Sequence, residues 1–166
     1  MTGEFLWTSE EVAQATGGSS NFSWAAEGVW IDSRTIDSKD LFIALKGPNH
    51  DGHLYVADVL NRGAAAAVVS YVPEGLEKTA PLVIVSDTQK ALEAMAIYAR
   101  SRVGARICAV TGSVGKTGTK EALGKCLERS GNTHVSVASY NNHWGVPLSI
   151  ARMPRDTVYA VFEIGM

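Results

Sequence analysis

Apolar and polar positions alternate along the chain in two different ways. In the first part, short apolar runs are cut by polar turns. Val12 and Ala15 form an apolar stripe that predicts a helix over residues 1–16. Thr8 followed by Glu11 is the pattern of a capping box, and Gly17-Gly18 stops the helix. Ser19 to Gly28 reads as a polar loop, with Trp24 and Trp30 as packing residues. Residues 28–36 predict a strand running into a turn, and Leu41-Phe42-Ile43-Ala44-Leu45 a second strand. Lys46 to His53 is rich in turn formers and polar side chains. It predicts a loop at a strand end, where binding sites tend to be built. Leu54 to Arg62 predicts an amphipathic helix with Val56, Val59 and Leu60 on one side, closed by Gly63. The small apolar runs 64–70 and 82–85 predict buried strands joined through a turn at Pro73-Glu74-Gly75.

From Asp87 onward the pattern changes. Asp87 caps a long helix over 88–102 whose apolar face is Leu92, Met95, Ala96 and Ala99, and Gly104 ends it. A strand follows over 107–111, then a glycine-rich turn, a helix over 119–129, a strand over 133–138, a loop with a short helix, and a strand over 157–162. Strand–helix alternation predicts a parallel sheet with right-handed crossovers. The expected fold class is α/β, with a small domain over 1–86 and the start of a second over 87–166.

The 166 residues are 46% hydrophobic and 19% charged, ordinary for a folded soluble chain, and the formal net charge of -2 predicts no bulk attraction to nucleic acid or to an anionic membrane. No apolar run approaches a membrane span, and no basic-then-apolar leader is visible, so the cytoplasm is the expected location. Cys108, in a predicted buried strand, and Cys126, on a predicted helix, lack metal-ligand spacing and are expected to act as small apolar residues.

Candidate chemistry centres on Thr111-Gly112-Ser113-Val114-Gly115-Lys116-Thr117-Gly118. Strand, glycine-rich turn with Gly-Lys-Thr, then helix is the context of a phosphate-binding loop. Glycines let backbone N–H groups turn inward, and the helix N-terminus adds unpaired donors. Lys116 would reach phosphate oxygens, and Thr117 would place its hydroxyl on Mg²⁺. The loop is the short form, with Val110 where a longer version has glycine. A glycine-rich turn carrying a surface lysine is the bland alternative. The last strand ends in Glu163, at the carboxyl end where ligands bind in such sheets, which suits a second oxygen ligand for Mg²⁺. Asn141-Asn142, at another such strand end, can hold a phosphate or sugar hydroxyl, or simply mark a turn. His143 is assigned no role. In the first part, Arg34 can grip an anion bidentately or pair with Asp32 or Asp37 at the surface.

Asp32-Ser33-Arg34, then Leu41 to Gly47 with Asp51-Gly52-His53, resembles the nucleotide-sugar-binding first domain of the Mur ligases that build peptidoglycan. The loop at 111–117 resembles their short phosphate loop. Gly112-Ser113-Val114-Gly115-Lys116-Thr117 with Asn141-Asn142 and Gly145-Val146-Pro147 is most similar to the branch that adds D-alanyl-D-alanine. The resemblance implies an ATP- and Mg²⁺-dependent, ADP-forming ligase acting on UDP-N-acetylmuramoyl-tripeptide and D-Ala-D-Ala through an acyl phosphate. It implies ATP contacts from residues 112–118, catalytic roles for Lys116 and Glu163, and metal contacts from Thr117 and Glu163. Ser33, Arg34, Lys46, Gly47, Asp51, Gly52, His53, Asn141 and Asn142 are the implied substrate-binding set. Family members are far longer, so a truncated central domain, an absent C-terminal domain and no ligation by the chain alone are expected. A branch adding a single amino acid, another P-loop nucleotide enzyme and a non-catalytic UDP-sugar-binding module stay open.

Overall fold

The structure, a computed structural model, describes residues 5–76, 80–137 and 140–165. The expected helix start at residues 1–4 and the strand end at Ala138 fall outside them. The chain separates into two compact units, Met1–Met95 and Ala96–Met166.

In the first unit, strand β1 (Trp7–Thr8) leads into helix α1 (Ser9–Thr16). Thr8 is the N-cap. It accepts from the Glu11 N–H, while Glu11 accepts from the Thr8 N–H, so the capping box is formed. The helix thus begins after Thr8, and Gly17 closes it at φ 67°, a left-handed conformation glycine adopts without strain. The expected loop over 19–28 contains two short strands, β2 (Ser19–Ser20) and β3 (Ala25–Ala26). β3 pairs antiparallel with β1, which satisfies backbone groups that polarity alone assigns to solvent.

Next come β4 (Gly28–Trp30), β5 (Asp40–Ile43), the two-residue strands β6 (Lys46–Gly47) and β7 (His50–Asp51), and a 3₁₀ turn over Gly52–Tyr55. Helix α2 (Val56–Asn61), β8 (Ala66–Val69) and β9 (Leu82–Ile84) complete the unit. The main sheet runs β2-β9-β8-β5-β4, parallel except that β2 lies antiparallel on β9. Leu41, Phe42 and Ile43 are all buried, as are Ala66 to Val69, because both faces of the sheet are covered. Phe42, Ala44, Val56, Val59, Ala67 and Val69 form one cluster, with Trp30 and Leu60 packed against it.

Helix α3 (Thr88–Ser101) straddles the division between Met95 and Ala96. The expected boundary at 86/87 instead precedes this helix. Asp87 caps it, accepting from the N–H groups of Gln89 and Lys90. In the second unit, β10 (Arg106–Val110) feeds helix α4 (Lys116–Leu127), followed by β11 (Thr133–Val135), α5 (Gly145–Ala151) and β12 (Tyr159–Glu163). The sheet is parallel, in the order β10-β12-β11. Val103, Ala105, Met153, Ala160 and Phe162 form its core cluster, with Ile107 and Ile150 against it. α4 starts three residues earlier than helix-forming preference suggests, because a left-handed Gly115 starts the helical turn directly at Lys116. The burial expected of Cys108 is not observed. β10 is an edge strand of this sheet, and both cysteines are exposed.

Phe42 is 1% exposed at the centre of the first core, and Ile97 is 73% exposed. Phe42→Ala is expected to lower unfolding free energy by about 3–5 kcal/mol, against less than about 0.5 kcal/mol for Ile97→Ala. Urea midpoints of the two variants check the contrast.

Candidate functional site

Each unit presents a polar cluster. In the second unit, β10 ends at Val110 and the chain turns through Gly112 at φ 149° and Gly115 at φ 76°. Both angles favour glycine, and they bring residues 112–118 over the N-terminus of α4, where the first helical N–H groups lack intrahelical partners. Lys116 and Thr117 fall in the first helical turn. The Lys116 ammonium donates to the Gly112 carbonyl at 2.6 Å, folding back across the loop. Ser113, Gly118 and Val114 are exposed.

The parallel register sets Val110 opposite Glu163. The last residue of β12 therefore lies beside the strand that enters the loop. Thr117 Oγ1 donates to Glu163 Oε2 at 2.8 Å, and Asn141 Nδ2 donates to Glu163 Oε1 at 2.8 Å. The hydrogen bond from Thr117 is the main cause holding the Glu163 carboxyl below its usual range. Burial opposes it, and Asn141, Lys120 and Lys116 add to the lowering. Glu163 is 2% exposed, so its two oxygens are aimed rather than free to wander. Hydroxyl and carboxylate are the hard oxygen donors Mg²⁺ prefers. Among the described residues there is no cluster of three or more His, Cys, Asp or Glu for a metal.

Asn142 has a local task. Its Oδ1 accepts from the N–H groups of Trp144 and Gly145, at 3.1 and 2.8 Å, and so opens α5. Asn141 likewise bonds within this unit, to Glu163. With His143, Val146, Ile164 and Gly165 they line a cavity of about 400 Å³.

In the first unit, Asp32-Ser33-Arg34 forms the turn after β4. Arg34 donates from Nε and Nη2 to the two oxygens of Asp32, at 2.9 and 2.7 Å. That bidentate bond, reinforced by the Arg34 N–H, pulls the Asp32 carboxyl down to about 2 and raises the guanidinium above its ordinary value. Asp32, not Asp37, is the partner. The Arg34 side chain remains 86% exposed and keeps donors for an incoming anion. Ser33 is half-buried, and its carbonyl accepts from Arg62.

The expected loop over 46–53 is a small hairpin of β6 and β7 closed by the 3₁₀ turn. Gly52 has no room for a side chain: a Cβ there would lie 2.9 Å from the Leu45 carbonyl oxygen. His53 is 1% exposed. Its Nδ1 lies 2.6 Å from Asp51 Oδ1, and its Nε2 accepts from the Ser70 N–H at 2.9 Å. Tyr71 stacks on the ring with centroids 4.2 Å apart and donates to Asp51 Oδ2. His53, one of the expected substrate-binding residues, ties the hairpin to the end of β8 through both ring nitrogens. Lys46, 67% exposed with its Nζ 3.5 Å from Asp51, and Gly47 at the hairpin pair stay reachable. Ser70 and Tyr71 as partners of the hairpin, and Lys120 and Ser136 beside Glu163, were not among the expected site residues. Asp32, two residues from Arg34, is the one of the two expected surface partners that pairs with it.

Two family models match successive parts of the chain. A model described as the Mur ligase family, catalytic domain, matches residues 26–102, and one described as the Mur ligase middle domain matches 110–166. The UDP-N-acetylmuramoyl-tripeptide--D-alanyl-D-alanine ligase of Rickettsia prowazekii is 39% identical over 97% of the chain, and that of Escherichia coli 37% identical over 84%. The chain spans 35% and 30% of their lengths. A crystal structure of MurF from Acinetobacter baumannii superposes with TM-score 0.81 at 34% identity over 96% of this chain and 36% of that one. A MurF ligase from Thermotoga maritima solved with ADP gives TM-score 0.63 at 27% identity, covering 82% and 31%.

The Asp51 carboxyl supplies a measurable property of the first cluster. Partial burial raises its pKa, but the His53 N–H, the His53 ring and Tyr71 outweigh this and bring it to about 2 from 3.8. A folded-state value below the unfolded one stabilises above the unfolded value, and that stabilisation is lost as pH falls from about 4 through about 2. Asp51→Asn is expected to cost about 1–2 kcal/mol at pH 7. It should also flatten the loss of stability between pH 4 and pH 2, read from urea midpoints at each pH.

Proposed function

The chain belongs to the Mur ligase family, and we propose that it is the amino-terminal portion of an ATP-dependent ligase that joins D-alanyl-D-alanine to UDP-N-acetylmuramoyl-tripeptide in peptidoglycan precursor synthesis. The observation that carries the reading is the 2.8 Å approach of Thr117 to Glu163 beside a short phosphate loop, in a chain whose relatives bear that name. In this reading the γ-phosphoryl of ATP passes to the terminal carboxylate of the tripeptide, giving an acyl phosphate and ADP. The D-Ala-D-Ala amine then attacks the acyl carbon, loses its proton and expels phosphate as the amide forms. The reaction belongs in the cytoplasm, where ATP and UDP-linked precursors meet.

Each matched residue has a physical task. The N–H groups of residues 112–118 cradle the phosphates, and Lys116 exchanges the Gly112 carbonyl for a phosphate oxygen. Thr117 and Glu163 are the residues that would hold Mg²⁺, and the ion would supply charge neutralisation for the phosphates. Asn141 keeps the second carboxylate oxygen of Glu163 from rotating away. In the first unit, Arg34, held flat by Asp32, and Lys46 at the hairpin give cationic contacts for the diphosphate, while Ser33, Gly47, Asp51, Gly52 and His53 shape the loops around it. Because the chain spans about a third of its relatives, the residues that present the incoming amine are assigned to the remainder of such a ligase, and the chain alone is read as inactive.

Titrating ADP calorimetrically against the chain should show binding that weakens about tenfold or more in Lys116→Ala. Unchanged affinity in that variant would remove the phosphate-loop assignment. Phosphate release from ATP with both substrates present should stay at background, and robust turnover would show the chain to be self-sufficient. Arg34→Ala should weaken binding of the UDP-linked tripeptide and leave ADP binding unaltered.

A further inference from the structure

Helix α4 turns one face to the sheet, carrying Lys116, Lys120 and Gly124 at four-residue spacing. Gly124 is there because a Cβ would meet Val135 at 2.6 Å. Lys120, one turn earlier, is 0% exposed. An aliphatic side chain is the ordinary occupant of such a position, since burying an ammonium is costly unless it is paired. Its Nζ donates to the Ser136 carbonyl at 2.7 Å and lies 3.1 Å from Glu121 Oε1. Ser136 continues the pairing of β11, donating its N–H to the Val161 carbonyl. Its hydroxyl accepts the Glu163 N–H at 3.1 Å. Glu163 in turn accepts from Thr117, which sits on α4 three residues before Lys120. These bonds close a ring: Thr117, the first turns of α4, Lys120, Ser136, Glu163 and back to Thr117.

We propose that Lys120 and Ser136 are positioning residues for the cation site, fixing through this ring the separation of the Thr117 hydroxyl from the Glu163 carboxylate. The proposal rests on the reading of Thr117 and Glu163 as Mg²⁺ donors. Through the ring, Ser136 ties the backbone of Glu163 to the helix that carries Thr117. With it, helix and strand end cannot shift relative to each other without breaking a buried, charge-assisted hydrogen bond. Groups one step removed from a metal set its affinity in this way. Metal-free nucleotide binding is assigned to Lys116 and the loop N–H groups.

The test uses the whole chain with ADP as probe, titrated calorimetrically in EDTA and again in excess Mg²⁺. Folding is monitored by thermal melting. Lys120→Met keeps the length and apolar bulk, and Ser136→Ala removes only the hydroxyl. Both variants are expected to bind ADP in EDTA within about twofold of the unaltered chain, while the strengthening that Mg²⁺ adds falls about tenfold. Ser136→Thr, which retains the hydroxyl, should restore it. Equal Mg²⁺ strengthening in the variants overturns the proposal alone, as does a parallel loss of metal-free binding, which would mark a merely structural role. If Lys120→Met does not fold, the Ser136 pair decides by the same criteria. Absence of any Mg²⁺ strengthening in the unaltered chain overturns the cation site, and the proposal with it.

Discussion

The second unit depends on one register. β10 and β12 lie side by side and parallel, and the pairing of Val110 with Glu163 means that both strands end at the same level. At that level one strand releases the chain into a glycine-rich turn and the other presents a carboxylate. A slip of one residue would turn the Glu163 side chain to the opposite face of the sheet and lose the bond from Thr117. The apolar alternation fixes that register from below. Ala160 and Phe162 point into the core cluster with Ile107, Ala105 and Met153, and the acid follows as the first side chain past it. The hydrophobic core and the candidate cation site are thus set by the same pairing.

The first unit solves a different problem. Its loops are short and polar, and polar loops are held by their own hydrogen bonds or not at all. The hairpin over residues 46–51 has only two residues per strand, too few to stand alone. A buried histidine supplies the missing connection: His53 binds Asp51 on one side and the Ser70 N–H on the other. Gly52 lets the chain pass against Leu45 closely enough for His53 to enter. Asp51-Gly52-His53 is therefore a folding unit in which the glycine makes the approach, the histidine makes the clasp, and the aspartate orients the histidine.

That distinction explains what was legible in advance. Elements announced by local chemistry were read correctly in kind: the capping box at Thr8, the Asp87 cap, the buried runs at 41–45 and 66–69, and strand–loop–helix around Gly115. The Thr117–Glu163 pairing was also accessible, because a parallel sheet brings strand ends together whatever lies between them in sequence. What escaped depends on partners far along the chain. Nothing local to Cys108 says that its strand lies at a sheet edge. The short strands at Ser19 and Ala25 exist only because β9 and β1 offer them open backbone groups. His53 carries the same signal whether it faces a ligand or a serine N–H. Lys120 looks like any helix-surface lysine until Ser136 is brought beneath it.

In both candidate sites the ligand-facing groups already have partners. Arg34 is on Asp32, Lys46 near Asp51, Lys116 on the Gly112 carbonyl, and Thr117 on Glu163. The internal partners are individually modest: an exposed ion pair such as Arg34–Asp32 adds little, because solvent screens it. They nevertheless hold each long side chain near one conformation, so less rotamer entropy is lost when a ligand arrives. The same arrangement sets a threshold. A ligand must be a better partner than the one it displaces, and a neutral hydroxyl or a single weak acceptor is not. A diphosphate presents several charged oxygens at once to Arg34 or Lys116, and a divalent cation exceeds a hydroxyl proton as a partner for Glu163. Occupied donors of this kind favour multiply charged ligands over singly charged ones without any steric filter, which is the discrimination a site for nucleotide phosphates and their metal requires.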